Sequence, residues 1–146
     1  MKTEGSISLL IRGNEFNVKE FDEKMSICDS VALEKGEISD GHKMTFNLWE
    51  YQVEYNEDDI NEILKSFCET IKPKLDIISQ IQTDNNCILQ MFIQSEEAQM
   101  GLSISSENLL KIADLGIRFE ISILSYGLVF DEDGSEHNIN EIFGGE

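Results

Sequence analysis

The sequence is short of positive charge. Its 146 residues hold 11 Lys and Arg against 29 Asp and Glu, a formal net charge of −18. Nucleic-acid binding needs basic side chains to neutralise phosphates, and docking on an anionic bilayer needs them too, so neither partner is expected. Proline is nearly absent, with one residue at Pro73, and no apolar run approaches the length that spans a bilayer. The opening Met-Lys-Thr-Glu-Gly-Ser lacks the charged, apolar and small-residue regions of a secretory leader, so the cytoplasm is the expected compartment. The three cysteines, Cys28, Cys68 and Cys87, are odd in number and widely spaced. Neither a disulfide framework nor a zinc site is expected from them, and reduced thiols fit the same compartment.

Catalytic signatures are missing as well. No G-x-S-x-G, H-E-x-x-H, C-x-x-C or P-loop occurs, and the two histidines, His42 and His137, lie in polar segments. Asp131-Glu132-Asp133-Gly134 superficially suggests a calcium loop. Counted from Asp131, however, the sixth residue is Glu136 rather than Gly and the twelfth is Ile142 rather than Glu. The expectation is a protein without catalytic activity, cofactor or metal.

What is present is a regular alternation of strand and helix signals. Ile7, Leu9 and Ile11 share one face of a strand over Ser6–Arg12. Asn17, with Glu20 three residues on, caps a helix over Val18–Met25. Ser30–Leu33 reads as a short strand, Glu34–His42 as a loop, and Lys43–Tyr55 as a long strand. In the long strand Trp49, Tyr51, Val53 and Tyr55 oppose Phe46, Leu48, Glu50, Gln52 and Glu54. Asn56 is placed to cap a helix whose stripe is Ile60, Ile63, Leu64, Phe67, Cys68 and Ile71. Pro73 ends or kinks it, and helical spacing resumes to about Gln82. Strands follow at Cys87–Ser95 and Gly101–Ile104. Ser105-Ser106 caps a helix to Leu115 that Gly116 closes, and Ile117–Ser125 alternates as a half-buried strand.

The order β-α-β-β-α-β-β-α-β predicts an α+β fold. Its expected form is a ferredoxin-like β-α-β-β-α-β core extended by a further β-α-β unit, with a largely antiparallel sheet and helices on one face. One domain should occupy residues 1–130, with an acidic tail over 131–146. Residues 1–74 carry 16 acids and 9 bases, net −7, so the remaining −11 lies after Lys74. Within the tail, Asp131, Glu132, Asp133 and Glu136 are the expected contacts for a protein partner. Trp49 and Tyr51 offer an aromatic platform, with core packing as the competing reading. Phe46 and Leu48, on the opposite face, would join a homodimer if the sheet is open there.

The chain also resembles a bacterial family of domains of unknown function, number 4279 in that series. The resembling residues are SISLLIRGNEFNVKEF, Lys35-Gly36-Glu37, Trp49 and LSISSENLLKIADLGIRFEISILSY, spread over residues 6–126. At Ser30-Val31 the chain departs from the family, which carries a proline near the entry to its second strand. The resemblance implies a small cytosolic α+β domain with no assigned activity, and by analogy an immunity protein that neutralises a cognate, basic toxin. The alternatives are a structural or interaction domain acting as a homodimer, and a small-molecule or metal sensor.

Overall fold

The computed structural model describes residues 3–130 and 136–138. Strand β1 (Thr3–Gly13) leads into α1 (Val18–Met25) and the short β2 (Val31–Leu33). A two-stranded hairpin of β3 (Ile38–Ser39) and β4 (His42–Lys43) precedes β5 (Asn47–Asn56). Helix α2 (Ile60–Ile71) passes through a 3-10 turn at Lys72–Lys74 into α3 (Leu75–Gln82). Then come β6 (Asn86–Glu97), α4 (Ser106–Asp114), β7 (Arg118–Phe130) and β8 (Glu136–Asn138). Among the described residues, no helix is long and apolar enough to cross a membrane.

Local chemistry sets these boundaries. The Asn17 Oδ1 accepts the Glu20 N–H at 3.1 Å and Ser105 Oγ accepts the Asn108 N–H at 3.2 Å, each filling an orphan donor at a helix start. Gly116 takes the left-handed conformation (φ +67°) that turns the chain out of α4. Pro73 sits in the 3-10 turn, where its missing N–H is tolerated, so the helix kinks and continues. Helix α2 starts later than expected. Asp59 holds the cap position, and its Oδ1 accepts the Asn56 N–H at 2.8 Å, closing a turn before the helix begins.

Two expected strands change. Lys43–Tyr55 breaks in two, because Met44 pairs back on Gly36 and Glu37 through backbone bonds of 2.8 Å each, and β5 starts only at Asn47. Gly101–Ile104 forms no strand. It is an extended connection tied to α2, with Asn61 Nδ2 donating to Ser103 O at 2.9 Å.

The six-stranded sheet has the order β2-β5-β1-β6-β7-β8. All neighbours are antiparallel except β6 and β7, which run parallel across the α4 crossover. The fold is therefore α+β with a mixed, mostly antiparallel sheet. After α1 the chain enters β2, which pairs antiparallel with β5 and so runs parallel to β1. The β1–α1–β2 and β5–α2–α3–β6 passages are both split β-α-β units, with β5 inserted between the parallel β1 and β2 and β1 inserted between the parallel β5 and β6.

The helices bury their apolar stripes on one face. Phe21, Met25, Leu64, Phe67, Ile71 and Ile112 pack in one core with Ile7, Leu9, Ile11, Trp49, Leu89 and Met91. The strand residues alternating with these form the opposite, open face.

Candidate functional site

Register defines the open face row by row. Glu50, Leu10, Ile88 and Arg118 stand side by side across β5, β1, β6 and β7. The next row is Gln52, Ser8, Gln90 and Glu120, and the one after is Glu54, Ser6, Phe92 and Ser122. Above the first row, Leu48, Arg12 and Asn86 pair across β5, β1 and β6. The centre is apolar. Leu10, Phe46, Leu48 and Ile88 surround a hollow of about 260 Å³ that Arg12 and Glu120 also border.

The chain has two arginines, and both lie on this face. The Arg12 guanidinium stands 5.9 Å from the centre of the Phe46 ring, a cation–π contact. Arg118 bonds Asn86 Oδ1 and pairs with Glu120, each at 3.3 Å. Across the same row Glu50 is half-buried between Leu10 and Val31. Burial pushes its carboxyl above the usual carboxylate range, and it has no ion pair or side-chain hydrogen bond among the described residues. A desolvated carboxylate without a counter-ion is costly, and a cation brought to it from outside would relieve that cost.

One end of the sheet is acidic. Glu4 of β1, Glu54 of β5, Glu57 and Asp58 of the following turn, and Glu96 and Glu97 of β6 converge there. Two of the segments that build this end, residues 44–64 and 75–110, carry no Lys or Arg. Glu4, Glu54, Ser6, Phe92 and Gln94 border a hollow of about 350 Å³. Some of these carboxylates have internal work: Glu57 Oε2 accepts the Thr3 N–H at 3.2 Å.

The expected contact residues divide. Asp131, Glu132 and Asp133 lie outside the described residues. Glu136 opens β8, opposite Phe130. Because β7 runs parallel to β6, its last residues run toward the acidic end, with Leu128 paired to Glu97. Trp49 and Tyr51 are corrected to core residues. Trp49 has no exposed surface, and Tyr51 stacks on Phe67 with ring centres 5.3 Å apart. Both sit on the face the helices cover. Cys28 is exposed, while burial raises the Cys68 thiol and pushes Cys87 up to about 11. No group of three or more His, Cys, Asp or Glu is placed to hold a metal among the described residues. Sequence reasoning missed the pairing of Glu50 and Arg118 at the two ends of one row. Their even–odd parity was legible, but the register that aligns them was not.

These features define an α+β domain with one face of its sheet packed and the other open. The chain belongs to the family described as Domain of unknown function (DUF4279), which matches it over residues 3–126. The acidic segment 131–146 falls outside that range. No curated protein and no solved structure matches the chain.

Proposed function

We propose that this protein is an interaction domain that binds a basic protein partner, in its most concrete form an immunity protein that neutralises a cognate toxin. The observation that carries the reading is the acidic end, where carboxylates from β1, β5, β6 and the β5–α2 turn converge. Such a surface steers a cationic partner and speeds its capture. Its carboxylates can occupy a phosphate-binding cleft and block it sterically. A cytoplasmic location goes with this reading. The experiment is co-expression with the product of the adjacent open reading frame. A complex that co-purifies at low salt, weakens as salt rises and protects cells from that product is expected. Neither complex nor protection at low salt would reject the reading. Charge reversal at Asp131, Glu132 and Asp133, and separately at Glu54, Glu57 and Asp58, assigns the contact to tail or body.

A further inference from the structure

The open face has a symmetry that the acidic end lacks, and it does not depend on the partner proposed above. We propose that this face binds a second copy of the chain in a closed, two-fold dimer whose axis runs along the strands between β1 and β6. Such an axis exchanges β5 with β7 and β1 with β6 of the other copy. The row Glu50–Leu10–Ile88–Arg118 then meets itself reversed. Glu50 faces Arg118 of the second copy, twice, and Leu10 faces Ile88.

The remaining rows match under the same operation. Glu120 falls opposite Gln52, Glu54 opposite Ser122, Glu4 opposite Gln94, and Arg12 opposite Asn86. No acid meets an acid within a row. The other in-plane axis, across the strands through this row, sets Glu50 on Glu50 and Arg118 on Arg118, so charge disfavours it there. Stacked sheets cross at roughly 30°, which keeps the match tightest near the axis, where Leu10 and Ile88 lie.

A two-fold contact must be self-complementary, and this face is so in charge and in its apolar centre, where Leu10, Phe46 and Leu48 are half-buried and Ile88 is already buried. Arginine placement agrees, because Arg is enriched at interfaces and Lys depleted. All nine lysines lie elsewhere in the sequence than on these four central strands. Four strands about 4.8 Å apart and nine residues long present on the order of 500 Å² in plan per copy. That reaches the lower bound for a specific interface when both copies are counted. The dimer also supplies Glu50 with the cation it lacks.

Sedimentation equilibrium on the full chain tests this. The wild type should associate to twice its 16.6 kDa mass. Arg118→Glu and Glu50→Arg should each weaken the dimer tenfold or more, and the double exchange should restore it to within threefold of wild type. Lys24→Glu on α1 changes net charge as Arg118→Glu does and should leave the dimer intact. On dilution of the wild type, the side-chain amide NMR signals of Gln52, Gln90 and Asn86 should shift while that of Gln80 on α3 stays. This measurement needs no variant to fold. A single 16.6 kDa species up to millimolar concentration overturns the proposal. So does a double exchange no better than either single, dilution shifts elsewhere than the open face, or a monomer whose Glu50 variant loses a co-purifying basic partner instead.

Discussion

The indole N–H of Trp49 donates to Asp22 Oδ1 at 2.8 Å, joining the first part of β5 to α1. The same oxygen lies 2.6 Å from Ser30 Oγ, whose single proton it shares with Ile27 O at 3.0 Å. One carboxylate therefore fixes the helix, the turn after it and the only tryptophan. Phe21 packs edge-on against the indole with ring centres 5.3 Å apart, so the junction is apolar around its polar bond.

Asp22→Ala removes the acceptor and leaves a buried indole N–H unsatisfied. A loss of about 1–3 kcal/mol in urea unfolding is expected. Asp22→Asn keeps an oxygen acceptor and should lose less. Trp49 fluorescence is the readout, since the side chain is fully buried and shifts to longer wavelength on exposure. An Asp22→Ala variant as stable as wild type would show that the bond contributes nothing.

A second junction lies at Gly5. Tyr55, opposite Gly5 on the neighbouring strand, reaches across it and donates its hydroxyl to Phe92 O at 2.8 Å. A Cβ at Gly5 would overlap Phe92 O and come within 2.9 Å of the Tyr55 oxygen. Gly5→Ala should therefore cost about 3 kcal/mol or more, through backbone displacement in a central strand. Burial pushes the Tyr55 hydroxyl from 10.0 up to about 12. The unfolded state then loses that proton at lower pH than the folded state. Stability from this group is whole below pH 10, falls as pH rises further, and levels off beyond about 12. Tyr55→Phe should lower stability at neutral pH by about 1 kcal/mol and flatten the alkaline loss in thermal melts.

Much of this architecture is local enough to be legible in sequence. Asn17, Ser105 and Gly116 act through bonds within four residues, and the spacing of α2 marks its buried stripe without reference to any neighbour. Alternation likewise separates Trp49 from Glu50. It does not tell which face the helices cover, and so a platform reading of Trp49 and Tyr51 stays open beside the core one. Strand order depends on pairings between residues tens of positions apart, such as Ile7 with Val53 and Met91. The α+β class follows from element order, whereas the insertion of β1 between β5 and β6 does not. The open-face rows are one step further removed, because they need register on three strand pairs at once.

The cysteines differ in environment enough to be separated chemically. Cys28 is exposed in the turn after α1, whereas Cys68 and Cys87 are buried and their thiols raised. Alkylation requires the thiolate and access to it. At pH 8 iodoacetamide should modify Cys28 in the native protein and reach Cys68 and Cys87 only after denaturation. Mass spectrometry of the intact chain should show one adduct before urea and three after. Early modification of Cys87 would contradict its burial against the helices.

Glu50 supplies the last test, and its sign is opposite to that of a salt-bridged acid. Burial raises its carboxyl, so the folded chain holds this proton to higher pH than the unfolded chain does. The group's favourable contribution is whole below its unfolded value and is lost as pH rises through its folded one. Above that window an ionised, unpartnered carboxylate remains on the open face. Glu50→Gln keeps the shape and removes the charge. At concentrations where the chain is monomeric, it should melt higher than wild type at neutral pH, by no more than about 1 kcal/mol because water reaches part of the group. The gap should close in acid, where wild-type Glu50 is itself neutral. In the dimer the sign reverses, because Glu50 then faces Arg118 of the second copy and Gln forfeits the ion pair. Melting wild type and Glu50→Gln across a dilution series at neutral pH should therefore show the two curves crossing. Parallel curves at every concentration would separate the buried carboxylate from any role in association.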